Sequence, residues 1–342
     1  MSAASPELFG RYRGEPVHRL TISDGALTAR IITWGAVVQD LRLDGHAAPL
    51  VLGFERFEHY PEHSPYFGGT PGRVANRIRN ARAPLDGRTV ELDANVRGVH
   101  HLHGGAEGLG RRVWSVEDAG ADRVTLRIES PDGEMGYPGN YTARCTYRIE
   151  DATLHVELSA ESDAPTFSNL CHHSYFNLAD GGTGDILDHR LRIDADAYLE
   201  VDEDFVAGGE PVPVEGTRFD FRAIKPIRTD DPEPPIWDNN WCLSREQVAM
   251  REVARVESPD GALAMTVATT EPGLQFYAGH KIDVPVTGLD GIAYGPRSGL
   301  CLEAQAWPDG PNNPAYPPIV LRPGNRREQK TSYAFHRGTI SP

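Results

Sequence analysis

The chain has 342 residues, room for two average domains or one large β domain, and enough in either case to bury a sizeable core. Its 34 Lys and Arg against 49 Asp and Glu give a net charge of -15. That balance disfavours nucleic acid and anionic membrane as partners, and weighs against a highly phosphorylated substrate unless a local basic pocket exists.

No apolar run approaches the ~20 residues of a membrane span. Residues 1–8 offer neither the basic start nor the apolar stretch of a secretory signal, so a cytoplasmic protein is expected. Residues 18–22 and 27–33 alternate apolar and polar side chains, the period-two signature of a strand. Gly72-Arg-Val-Ala-Asn-Arg-Ile78 follows Tyr66-Phe-Gly-Gly-Thr-Pro71. On its own it reads as a basic surface turn, although Arg beside Asn offers fixed, planar donors suited to hydroxyl recognition. After a short alternating run at 90–92 comes His100-His-Leu-His-Gly-Gly105, which admits surface imidazoles, acid/base groups or a metal site. The spacing His101-x-His103-x3-Glu107 resembles the first metal motif of cupins, but the Pro-x-Gly and ligand His expected downstream are missing.

Further along, 123–129 puts Val124, Leu126 and Ile128 on one face, and 153–160 does the same with Leu154, Val156 and Leu158. Ser168-Asn-Leu-Cys-His-His-Ser-Tyr-Phe-Asn-Leu178 carries His173 and Tyr175 on one face with Cys171. A lone His on an apolar strand is usually a satisfied core residue, yet Asn169 and Asn177 nearby favour a hydrogen-bonded site. Alternation returns at 189–193 and 263–268. Between these, 230–236 reads as a Pro-rich loop and Ile236-Trp-Asp-Asn-Asn-Trp241 sets two indoles around a carboxylate, a common way to bind sugar faces. Last, Ser298-Gly-Leu-Cys-Leu-Glu-Ala-Gln-Ala-Trp-Pro-Asp309 separates Leu300, Leu302, Ala304 and Ala306 from Cys301, Glu303, Gln305 and Trp307. The second set resembles the wall of a pocket for a polar, flat-sided ligand such as a sugar.

Short strands between Gly, Pro and Asp turns, with few amphipathic helices, predict a mostly antiparallel all-β sandwich or barrel of roughly twenty to thirty strands in one domain over 1–342. Cys145, Cys171, Cys242 and Cys301 lie far apart in apolar runs and read as reduced core thiols.

Taken in order, Gly72-Arg-Val-Ala-Asn-Arg-Ile78, Leu102-His-Gly-Gly105, His173-Ser-Tyr-Phe-Asn-Leu178 and Cys301-Leu-Glu303 make the chain resemble the aldose 1-epimerase, or galactose mutarotase, family. The resemblance runs from Trp34-Gly35 to Leu321-Arg-Pro-Gly324. It implies a large β-supersandwich, no cofactor or metal, and an isomerase that interconverts the α and β anomers of a free monosaccharide, as a monomer or a dimer. By the same resemblance Glu303 is the general base and His173 the general acid, while Asn76, Arg77, His103, Asp238 and Gln275 bind the sugar.

Four departures, His100, His172, Asn239 and Ala304, stand where such sequences carry other residues, and are expected to alter the shell that reads sugar hydroxyls. Reference pKa values of ~4.3 and ~6.5 would leave Glu303 ionised at pH 7 and His173 about one quarter protonated. Two alternatives remain. One is a hexose-phosphate or other sugar-derivative epimerase, using Arg73, Arg77, Arg111 and Arg112. The other is a non-catalytic carbohydrate-binding protein built on Trp237, Trp241 and Trp307.

Overall fold

A computed structural model describes residues 6–338. Twenty-four strands lie among the described residues, against one five-residue α-helix, His59–His63, and five 3-10 turns. The alternating runs became strands close to the expected bounds: Glu15–Ser23, Leu27–Ile32, Arg123–Ser130, Thr153–Ser162, Arg190–Ile193 and Leu263–Thr269. Val124, Leu126, Leu154 and Val156 are almost wholly removed from water. Each such side chain contributes ~1.5–3 kcal/mol against the cost of ordering it.

Three sheets carry most of the architecture, and their paired strands run antiparallel. Glu7–Tyr12, Glu15–Ser23, Leu27–Ile32 and Val37–Leu43 form a four-stranded meander. A nine-stranded sheet is ordered Lys225–Pro226, Arg190–Ile193, Arg251–Glu257, Leu263–Thr269, Arg327–Arg337, Thr153–Ser162, Tyr141–Glu150, Arg123–Ser130, Ser115–Ala119. The strand latest in sequence, Arg327–Arg337, therefore sits in its middle, paired on both edges. The third sheet is ordered Ala207–Pro213, Ala197–Val201, Asp238–Cys242, Gly273–Tyr277, Cys301–Gln305.

Apolar faces of all three sheets meet in one cluster that includes Leu20, Val124, Val156, Met265, Leu274, Phe276, Leu302 and Ala304. Sheets packed face to face over a shared core are a β-sandwich, and here a large one. The Tyr333 hydroxyl donates to the Leu302 carbonyl at 2.9 Å, joining the nine-stranded sheet to the strand that carries Glu303. Among the described residues no helix is long and apolar enough to cross a membrane.

One local expectation changes. Residues 168–178 do not form a strand; they make isolated bridges at Asn169, His173 and Phe176. Asn169 and Asn177 serve the backbone here, the latter capping Ala179 and donating to the Ser298 carbonyl.

Candidate active site

Glu303 and His173 meet because of sheet register. Phe176 and Leu300 exchange both backbone hydrogen bonds, at 2.7 and 2.9 Å. Continuing that antiparallel pairing by the same number of residues along each segment sets position 173 opposite position 303. His173 Nε2 lies 3.5 Å from Glu303 Oε1, and both side chains are almost fully buried. Opposite Glu303 on its other edge is Gln275, and beyond that Asn240. Residues directly across an antiparallel sheet share a face. Asp238, Gln275, Tyr277 and Glu303 therefore stand together, while Leu274, Phe276, Leu302 and Ala304 go to the core, as the alternation of 298–309 requires.

The two glycine-bearing motifs form the opposing wall as one unit. Arg77–Ile78 pairs with His101–Leu102, and the Gly72 carbonyl accepts from the Leu109 N–H at 2.9 Å. Gly104 is pressed so tightly against this turn that an added Cβ would lie 1.6 Å from the Gly72 oxygen, and its φ of +87° is glycine's region. That contact sets His103. The Asn76 N–H donates to His103 Nδ1 at 3.2 Å, which leaves Nε2 to carry the ring proton. Burial, then the neighbouring His173 and Arg77, hold the His103 pKa well below its ordinary value, so the ring is a neutral donor.

These walls enclose a cavity of about 210 Å³ lined by Asn76, Arg77, His103, His173, Asp238 and Glu303, together with Tyr66, Tyr175, Tyr277 and Lys281. Drug-sized ligands usually occupy ~300–1,000 Å³, so this space fits a single small ring. Gln275 is buried behind the lining and donates to Asp238 Oδ1 at 2.8 Å, orienting that carboxylate. Sequence reasoning missed Lys281 and the tyrosines as cavity lining. Tyr66 lies 6.0 Å and Tyr175 5.2 Å from the His173 ring, each inclined by 28°, so the imidazole is clasped between two aromatic faces. The local signal for Tyr66 was its place beside Gly68 and Gly69, whose backbone pairs with that of His173.

Burial reverses the protonation expected from reference values. It pushes Glu303 up to about 8, with the Asp238 charge adding to the shift, and pushes His173 down to about 4. Between those values the pair holds one dissociable proton and no net charge.

Other expectations are also corrected. Trp237, Trp241 and Trp307 do not face the cavity; they are buried, and their indole N–H groups donate to the carbonyls of Ile227, Phe219 and Pro272. The aromatic wall is made of tyrosines instead. Arg73 is not a surface residue: it is buried, donating to carbonyls of Ser130, Pro131 and Pro138. Arg112 pairs with Glu134 and Arg111 reaches the Pro61 carbonyl, so of the four arginines only Arg77 lines the cavity. None of the four departures lines it either. His100 accepts from the Asn80 N–H, His172 bridges Tyr147 and Ser174, Asn239 donates to the Leu199 carbonyl, and Ala304 joins the core.

The cupin-like spacing does not assemble, since His101 meets Asp93 and Tyr137 while Glu107 pairs with Arg13. His173, Cys301 and Glu303 do bring nitrogen, sulfur and oxygen within 4.8 Å of one another. Taking a cation there would require the Cys301 thiol to ionise, which burial and the adjacent Glu303 oppose.

The fold and site together define a large antiparallel β-sandwich with a polar cavity that opposes a carboxyl to an imidazole. The sequence profile of the aldose 1-epimerase family matches residues 18–334, and the chain belongs to that family. It is 40% identical over 329 residues to a galactose mutarotase of Rattus norvegicus, covering 94% of this chain and 95% of the relative. It is 36% identical over 336 residues to an aldose 1-epimerase of Escherichia coli, covering 94% and 96%. A solved GalM/aldose epimerase homologue from C. elegans superposes with a TM-score of 0.88 at 30% identity, over 94% of this chain and all of the other.

Proposed function

We propose that this chain is an isomerase that interconverts the α and β anomers of a free aldose by opening and closing its ring. One observation carries the reading: Glu303 and His173 face each other at 3.5 Å on the wall of a cavity of monosaccharide size. The Glu303 carboxylate takes the proton of the anomeric hydroxyl while His173 gives its proton to the ring oxygen, and the bond from that oxygen to C1 breaks. The aldehyde turns about its bond to C2, and the reverse transfers close the other anomer. The pair's one proton starts on His173 in this step, having crossed the 3.5 Å from Glu303, and opening restores protonated Glu303 and neutral His173, the form that burial favours, so no proton is exchanged with solvent.

General acid and general base each supply ~10²–10⁴-fold. There is no net oxidation or reduction, and the ring oxygen that leaves C1 stays tethered to the sugar, so the reaction requires neither redox cofactor nor activated donor. Asn76, Arg77, His103 and Asp238 would bind ring hydroxyls, with Gln275 steadying Asp238, so that both protons are handled in one geometry. A phosphosugar substrate would have Arg77 and Lys281 alone to meet its charge.

Polarimetry of freshly dissolved α-glucose, α-galactose, xylose and arabinose tests the proposal. Catalysed relaxation of at least one sugar is expected, and no acceleration of any would refute it. Glucose 6-phosphate relaxing faster than glucose would transfer the reading to the phosphosugar.

A further inference from the structure

Each member of the Glu303–His173 pair is backed by a thiol, and the thiols are exchanged between the two segments. Cys171, two residues before His173, places Sγ 3.5 Å from Glu303 Oε2. Cys301, two residues before Glu303, places Sγ 3.5 Å from His173 Nδ1. Both cysteines are free and show no exposed surface.

Burial, with the adjacent Glu303, raises both thiols well above their ordinary range, so each keeps its S–H. A protonated thiol is a weak donor. With the Glu303 proton on Oε1 toward His173, Oε2 can only accept, which sets the direction of the Cys171 contact.

We propose that Cys171 and Cys301 are crosswise positioning residues: Cys171 donates to Glu303 Oε2 so that Oε1 faces the ligand, and Cys301 accepts from His173 Nδ1–H so that Nε2 exchanges the transferable proton. The proposal rests on the reading of Glu303 and His173 as the proton-transfer pair. Because each thiol belongs to the segment of the opposite partner, neither catalytic side chain swings without losing a contact to a side chain of the other's segment. The competing account is inert packing, since a buried free Cys commonly behaves as a small hydrophobe.

The experiment measures kcat and KM by polarimetry from pH 3.5 to 9.5, with thermal melts, for Cys171→Ala, Cys301→Ala and the two Ser counterparts. Cys145→Ala, a buried thiol beside Thr70, is the control. The other groups facing the pair, Asp238, Arg77, Lys281, His103 and the tyrosines, stay unchanged.

Removing a donor to the carboxylate should move the alkaline limb of Cys171→Ala upward by about half a unit or more. Removing an acceptor that favours the charged ring should move the acid limb of Cys301→Ala downward by a similar amount. In both, kcat should fall ~10-fold with KM little changed, because orientation rather than binding is lost. The Ser variants should return each limb to its native position or carry it past, downward in Cys171→Ser and upward in Cys301→Ser, and the control should melt earlier with both limbs in place.

Limbs that stay put in both Ala variants would overturn the proposal. An upward acid limb in Cys301→Ala would mean that the thiol donates to Nδ1, which overturns the assigned tautomer. Should an Ala variant fail to fold, the Ser variant decides: the stronger hydroxyl must displace the limb downward at 171 or upward at 301, and an unmoved limb refutes the role. Full activity in Glu303→Gln would instead remove the underlying reading. An inactive Glu303→Gln with unmoved limbs in the Cys variants would remove only the thiols.

Discussion

On the strand Cys301–Gln305, Leu302 and Ala304 face a core shared by three sheets, while Glu303 one residue away faces a polar cavity beside His173. Both faces are buried, but burial has opposite consequences on them. On the core side it removes apolar surface from water and stabilises the fold. On the cavity side it withholds water from a carboxyl and an imidazole, holding Glu303 up near 8 and His173 down near 4. A single strand thus stores stability on one side and a strained proton equilibrium on the other.

The sharpest way to break this contrast is Glu303→Gln, which keeps the shape and removes the base. Turnover should fall at least ~100-fold by polarimetry while circular dichroism stays native. Near-normal activity would show that the cavity face does not carry the chemistry.

Leu302→Ala probes the other side. It should lose ~2–5 kcal/mol in denaturant unfolding, with KM essentially kept in whatever fraction remains folded.

A third outcome sets the two faces against each other, because Glu303→Gln should also be more stable than the parent at alkaline pH. The unfolded carboxyl ionises near 4.5, whereas the folded one keeps its proton to about 8. Unfolding then releases a proton between these values, so parent stability declines as pH rises through that window and stays low above it. The margin of the Gln variant should widen over the same range to about 1–3 kcal/mol, discounting for relaxation around the buried charge, in melts taken from pH 4 to 9. A constant margin would show that the carboxyl is not held protonated.

The smallest expected effect is in kcat/KM against pH, which should be bell-shaped with limbs near 4 and 8. Below the first limb both groups hold protons and no base remains; above the second no acid remains. These limbs belong to the coupled pair. Activity should fall about tenfold per unit outside them, and a flat profile with chemistry rate-limiting would exclude the pair.

Strands such as Thr153–Ser162 were readable because alternation is a local property of covalent geometry, independent of what covers the face. The Glu303 strand was readable for the same reason, and Asn76, Arg77, His103, His173 and Asp238, named from the motif order, line one cavity. Trp237 and Trp241 misled because which side of Asp238–Cys242 reaches ligand is decided by Gly273–Tyr277, a neighbour some thirty residues onward in sequence. Arg73 misled because its carbonyl partners come from the distant segment 130–138. Lys281 and Tyr66 lie in turns, where no periodicity marks the direction of a side chain. The protonation of Glu303 was illegible for a deeper reason: desolvation is a property of the assembled walls, not of any residue type.

The position of Arg327–Arg337 in the middle of the nine-stranded sheet has a consequence for how the protein comes into being. On the ribosome, Leu263–Thr269 and Thr153–Ser162 must wait with unpaired edges until this stretch clears the exit tunnel, and the Tyr333 tether to the Glu303 strand arrives with it. Nascent chains short of these residues should be catalytically silent and the most exposed to premature association, making translation of residues 327–337 the event that commits the enzyme to activity.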